Sequence, residues 1–300
     1  MSLPVIPFYQ HTDPGLAIHH ALSELGFMQV SDFGIDKALL SQVYSASREF
    51  FCGASEVKRR CRYRSAQENF GYQGIAEENL DPDSPADLKE TFTMRNILHA
   101  CPAEVRWPSL QFKQLMQQFY ANVLDASTNL QKAMAVQLGV EETFFTRVNS
   151  GENISLRLLY YPAQQAEQVA PSQLGAGAHT DYGFMTLLFQ DNVGGLQVLN
   201  KQNNWMDVPP LTDTVVVNSG DLLERWTNGL YRSTLHRVKP QTSGRDRLSI
   251  AMFIDPDSQT SVVPLPSCVS NQRPAQFSAT TAGEHIQSKL NATHKSRFTQ

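Results

Sequence analysis

In GAGAHTDYGFMTLLFQD, Gly175 to Asp191, a histidine and an aspartate stand two residues apart as His179 and Asp181. Imidazole and carboxylate are both metal ligands, and a second histidine far along the chain would complete a set of three. LYRSTLHRV supplies one in His236, close to the end of what reads as a strand. If His179 and Asp181 occupy one strand, they face the same side and can clasp one ion. Two imidazoles and a carboxylate on one face of a metal suit non-haem Fe(II), because they leave coordination positions open for oxygen and a chelating cosubstrate. An H-x-D pair alone is also an ordinary hydrogen-bonded turn, so the reading depends on what else the chain offers.

RLSIAMFI, Arg247 to Ile254, offers the next piece. By strand alternation Arg247 and Ser249 share a face with Ala251 and Phe253, while Leu248, Ile250, Met252 and Ile254 point the other way into core. A guanidinium on an inward face is costly unless paired. A dicarboxylic ligand would pair it through a bidentate fork; the alternative is a salt bridge to one of the chain's own carboxylates. RLLYYP adds Tyr161, two strand positions after Leu159, whose phenol can turn toward the same carboxylate. Packing alone would also account for a tyrosine before proline.

These residues need a scaffold. After Gly151 the chain reads as short strands: NISLRLLYYP, FMTLLFQ, GGLQVLN, WMDVPP, TVVVN, LYRSTLHRV and RLSIAMFI, separated by Gly, Asn, Asp or Pro. Turn signals fall at Asp191-Asn192 with Gly194-Gly195, at Gln202-Asn203-Asn204 and at Asn228-Gly229. Strands of this length and spacing predict a double-sheet sandwich or jelly roll.

The first half reads as mostly helical. Asp13-Pro14 opens one helix that Gly26 ends, with FMQV after it as a short strand, and Asp36 caps a second. Ser109 to Leu138 carries a single apolar stripe and stops at Gly139. Residues 65–90 are polar and proline-containing and read as loop, and Thr281 to Leu290 reads as a closing helix. No flexible linker intervenes. The expectation is one catalytic domain over 1–300: a mostly helical region to 150, a jelly-roll core with the metal site over 151–265, and a C-terminal helix within 275–300.

Composition narrows the function class. The chain has 300 residues, 41% apolar and 18% charged, with a formal net charge of −4, which is ordinary for a globular protein and gives no basic footprint for nucleic acid. Cys52, Cys61, Cys101 and Cys268 include no C-x-x-C pair, so neither a zinc knuckle nor a disulfide framework is expected. No signal peptide and no apolar run near ~20 residues are apparent. A cytoplasmic protein with a small-molecule substrate, no membrane or nucleic-acid partner, and a monomeric or weakly homo-oligomeric state is expected.

The order Tyr-Pro, H-x-D, Gly-Gly-Leu-Gln, Asn-Gly, His-Arg-Val and R-x-S resembles the Fe(II)- and 2-oxoglutarate-dependent oxygenases of the isopenicillin N synthase-like group. The resemblance covers nearly the whole chain, since LPVIPF with ALSELGFMQV, DLKETFTM and TAGEHIQSKLNATH are similar to that family's N-terminal, pre-helix and tail segments. It implies an α+β protein with a mainly β core, a distorted double-stranded β-helix (jelly roll) with flanking helices. It implies Fe(II) on His179, Asp181 and His236, and 2-oxoglutarate with its distal carboxylate on Arg247 and Ser249, helped by Tyr161. Phe253 would lie in the substrate pocket. The implied reaction consumes O2, releases succinate and CO2, and hydroxylates, desaturates or cyclises a small organic molecule. One departure stands out: plant members often read Asn-Tyr-Tyr-Pro where this chain has Leu159-Tyr160-Tyr161-Pro162. The rivals are an oxidase of the isopenicillin N synthase type, which uses no 2-oxoglutarate, and a non-catalytic metal-bearing binding module.

Overall fold

The structure is a computed structural model and describes residues 2–81, 84–100 and 106–295; Cys101 lies outside them. Strand β12 (Arg247–Ile254) runs near the middle of an eight-stranded sheet. On one side of it lie β7 (Met185–Gln190), β10 (Thr214–Ser219), β2 (Phe27–Ser31) and β1 (Val5–Pro7). On the other lie β5 (Ser155–Tyr161), β4 (Glu90–Arg95) and β3 (Phe70–Gln73). All neighbours are antiparallel except the parallel pair β1–β2.

Alternation divides this sheet into two chemically different faces. Leu248, Ile250, Met252 and Ile254 join the main apolar core. There they meet side chains of α1 (Pro14–Glu24), α2 (Lys37–Cys52) and α4 (Leu110–Gln137), the short α3 (Ser55–Arg60) following α2. The opposite face looks toward a four-stranded antiparallel sheet in the order β6 (Ala176–His179), β11 (His236–Val238), β8 (Leu196–Leu199), β9 (Trp205–Asp207). A smaller apolar cluster joins the sheets, with Phe27, Tyr161 and Val216 from the large one and Ala176, Val198 and Val238 from the small one. This is the expected jelly roll with flanking helices.

The helix caps follow the local chemistry. Asp13 accepts from the Leu16 amide at 2.9 Å and Asp36 from Ala38 at 2.8 Å. Gly26 turns the chain at φ +73°, where a Cβ would lie 2.1 Å from the Arg232 carbonyl oxygen. The last helix, α6 (Ala282–Lys295), runs past the expected Leu290. Among the described residues no helix is long and apolar enough to cross a membrane.

Three expectations need correction. The first half is less helical than its apolar stripes suggest: β1, β2, β3 and β4 supply half of the large sheet, and β3 lies inside the segment read as loop. LYRSTLHRV is extended only from His236 onward, so His236 begins its strand. Asn228-Gly229 closes no hairpin; it follows the short helix α5 (Asp221–Trp226), with φ of +52° and +74° and the Gly229 amide bonded to Glu224 O at 2.8 Å.

Candidate metal and cosubstrate site

His179 ends β6 and His236 begins β11, and the two are direct cross-strand partners. Their ring centroids stand 4.3 Å apart. Asp181 lies beyond the end of β6, so it does not share a strand face with His179 as the H-x-D spacing suggested. The irregular backbone at 180 and 181, just past β6, brings it back instead. Its Oδ1 lies 3.9 Å from His179 Nε2 and 3.6 Å from His236 Nε2, and one ligand atom from each residue falls within 4.8 Å of the others.

Each group is turned so that its free atom faces the shared point. His179 Nδ1 bonds the Gly177 carbonyl at 2.7 Å and His236 Nδ1 the Thr234 carbonyl at 3.1 Å, which puts the proton on Nδ1 and leaves the Nε2 lone pair exposed. Thr186 Oγ1 and Asn218 Nδ2 donate to Asp181 Oδ2 at 2.6 and 2.7 Å, so Oδ1 is the oxygen left over. Burial, reinforced by His236, pushes His179 down to about 3, so its ring is neutral at pH 7. Burial would raise the Asp181 carboxyl, but the two histidines and the Asn218 and Thr186 bonds outweigh it and hold the group below the usual carboxylate range. Two imidazoles and one carboxylate, with three convergent lone pairs, are the donor set that Fe(II) takes.

Arg247 and Ser249 lie on the inner face of β12, as alternation requires, and are 0% and 1% exposed. Arg247 Nη1 donates to Ser249 Oγ at 3.1 Å and Nη2 to Gln190 Oε1 at 3.2 Å, while Nε has no partner. Among the described residues no carboxylate forms an ion pair with it, so the internal salt bridge that would make Arg247 merely structural is missing. Tyr161, its cross-strand partner, places its ring 4.8 Å from the guanidinium carbon.

Gln190 and Thr186 sit on the same face of β7, about 13 Å apart along the strand at ~3.3 Å per residue. One face thus carries the buried Arg247 near one end and the support of Asp181 near the other. Phe253 lies opposite Thr186, at the metal end of that face. Leu159, at the plant-type asparagine position, stands opposite Ser249 and Thr91, and the buried Thr91 hydroxyl has no partner. Sequence reading missed Asn218, Thr186 and Gln190. Inward alternation along TVVVN and FMTLLFQ was the available signal, but it does not say which ligand each polar residue supports.

The family model of the 2OG-Fe(II) oxygenase superfamily matches residues 153–256, and that of the non-haem dioxygenase N-terminal region, described from morphine synthesis, matches residues 3–117. Homoarginine-6-hydroxylase of Glycine max is 31% identical over 93% of this chain and 90% of its own length. A 2-oxoglutarate-Fe(II) type oxidoreductase of Emericella nidulans is 32% identical over 81% of this chain and 74% of its own. The crystal structure of a full-length Neurospora crassa protein in complex with alpha-KG and thymine superposes with a TM-score of 0.87 at 30% identity, covering 97% of both chains. With the donor set, the buried arginine and these likenesses in agreement, the chain belongs to the 2-oxoglutarate- and Fe(II)-dependent oxygenase superfamily.

Proposed function

We propose that His179, Asp181 and His236 hold Fe(II), that Arg247 and Ser249 bind the distal carboxylate of 2-oxoglutarate with Tyr161 beside them, and that Phe253 borders the substrate. The observation that carries this is Arg247: a wholly buried guanidinium with only neutral acceptors, on the sheet face that also supports Asp181. A buried charge without a counter-charge is costly, and a diacid supplies the counter-charge. The cosubstrate-free oxidase gives that arginine no 2-oxoglutarate, and the family comparisons favour 2-oxoglutarate users.

When bound, iron with 2-oxoglutarate and O2 supplies an oxidative decarboxylation that yields succinate and CO2 and oxidises a C–H bond of a small organic molecule. The protein orients and encloses. Thr186 and Asn218 hold Asp181 so that one oxygen faces the metal, the backbone carbonyls of Gly177 and Thr234 keep both histidines in the binding tautomer, and the apolar cluster between the sheets limits water. The test is anaerobic titration of the Fe(II) protein with 2-oxoglutarate, read by its metal-to-ligand charge-transfer absorption, followed by a screen for substrate-dependent succinate release. Thymine and homoarginine, named for the relatives above, are sensible first candidates. Absence of the band and of succinate with every candidate overturns the reading.

The hydrogen bonds behind Asp181 give a further expectation. Asn218→Ala leaves Oδ2 with the Thr186 bond alone and should weaken metal binding about 10-fold, the low end for an outer hydrogen-bond partner of a metal ligand. Competitive Co(II) titration measures it, and unchanged affinity would show that Asn218 does not orient the carboxylate.

A further inference from the structure

The pairing of β6 with β11 is irregular just before the metal cluster. Ala176 pairs with Val238 and His179 with His236, so Gly177 and Ala178 together stand opposite Arg237 alone. Such a two-against-one step is a β-bulge, which bends the strand and re-aims the side chain that follows. Here the side chain that follows is His179. The bulge lies on β6, an edge strand, where half of the backbone groups have no neighbouring strand.

The Gly177 amide is instead held from outside both sheets. It donates to Asp87 Oδ1 at 2.9 Å, while the carbonyl of the same residue takes His179 Nδ1. Asp87 is 1% exposed, and its other oxygen accepts from Lys89 Nζ, which is itself buried. Lys89 also lies 3.4 Å from Glu78, and Glu78 takes Arg157 at 2.6 Å. The segment carrying Asp87 is fastened to the chain ahead of β6 by Leu88 N to Leu174 O at 3.0 Å and Gln173 Nε2 to Ala86 O at 3.1 Å. No side chain fits at residue 177: a Cβ there would lie 2.9 Å from both Cβ and N of Asp81.

We propose that Asp87, anchored by Lys89, is a positioning residue that pins the bulge at Gly177 and so sets the direction in which His179 presents Nε2. The proposal rests on the reading of His179 as a metal ligand. A carboxylate serves here because one oxygen takes the glycine amide while the other takes the ammonium, so neither Asp87 nor Lys89 is left as an unpaired buried charge. A purely structural ion pair would make a different prediction: removing both charges together would then be harmless to the metal, whatever replaced Asp87.

The experiment compares two charge-neutral double variants of the full chain, Asp87→Asn with Lys89→Met and Asp87→Leu with Lys89→Met. Asparagine and leucine have similar shapes, but only asparagine accepts the Gly177 amide. Co(II) is the probe, with affinity taken from titration and ligand geometry from its visible ligand-field bands. The asparagine variant should keep near wild-type affinity and bands, whereas the leucine variant should lose about 10- to 100-fold in affinity and show shifted bands. Equal affinity and equal bands in the two variants overturn the proposal. Should the leucine variant fail to fold, Asp87→Ala with Lys89→Met takes its place with the same expectation and the same overturning result. A wild-type protein that binds no Co(II), like its His179→Ala variant, would instead remove the metal centre and this proposal with it.

Discussion

Asp181→Ala should abolish Fe(II) binding in a protein that still folds. The substitution removes one of three protein ligands, and the remaining pair of imidazoles carries no negative charge to offset the metal. Thr186 and Asn218 lose their acceptor, but both sit beside the metal cavity, where water can replace the carboxylate. Asp181→Glu should fail as well, because the added methylene moves the carboxylate by more than the ~0.5 Å that such sites tolerate. His179→Ala and His236→Ala should match Asp181→Ala, while near-UV circular dichroism stays native. Equilibrium dialysis under anaerobic conditions, with iron counted per protein, reads the result. Full occupancy and turnover in any one of the three alanine variants would sink the ligand assignment.

Arg247→Met should cost cosubstrate binding and leave the unliganded protein at least as stable. Removing one partner of a buried ionic contact costs ~3–5 kcal/mol, a few hundred-fold or more in affinity for 2-oxoglutarate. The free protein is a different matter, because there the guanidinium meets only Ser249, Gln190 and the Tyr161 ring. A buried charge with no counter-charge is itself a cost to the fold, so an apolar side chain of similar volume in its place should not destabilise the free protein. Arg247→Lys should recover only part of the affinity, since an ammonium cannot reproduce the planar fork. Ser249→Ala and Tyr161→Phe should each cost about 1–2 kcal/mol, as losses of single hydrogen bonds to a charge. The charge-transfer titration ranks these variants and thermal melting gives their stability. A variant at 247 that melts far below wild type yet binds 2-oxoglutarate normally would mark Arg247 as structural.

The ligands and the arginine strand were legible in the sequence for a physical reason. Metal donors are chemically distinctive residue types, and RLSIAMFI alternates so cleanly that its two faces can be assigned residue by residue. The scaffold was less legible where strands are short. VIP and FGYQ span three and four residues, too few for a period to declare itself, and β3 also sits in polar sequence. The geometry of Asp181 was invisible because irregular backbone, not a strand, returns it to His179. Asp87 and Lys89 stood inside the recognised DLKETFTM segment, yet nothing local to that segment announces a contact with a glycine 90 residues away.

The division of labour along β12 bears on how this chain can change over generations. Odd-numbered positions from Arg247 face the ligands and even-numbered ones from Leu248 bind the helices, at a spacing of one residue. A single-residue insertion or deletion that shifted β12 against β5 and β7 would exchange the two sets, sending a guanidinium into the helical core and a leucine into the ligand cavity. Length variation close to β12 is therefore as hazardous as mutation of the arginine itself. New substrates are better sought through changes in the loops between strands, where length is free of that arithmetic.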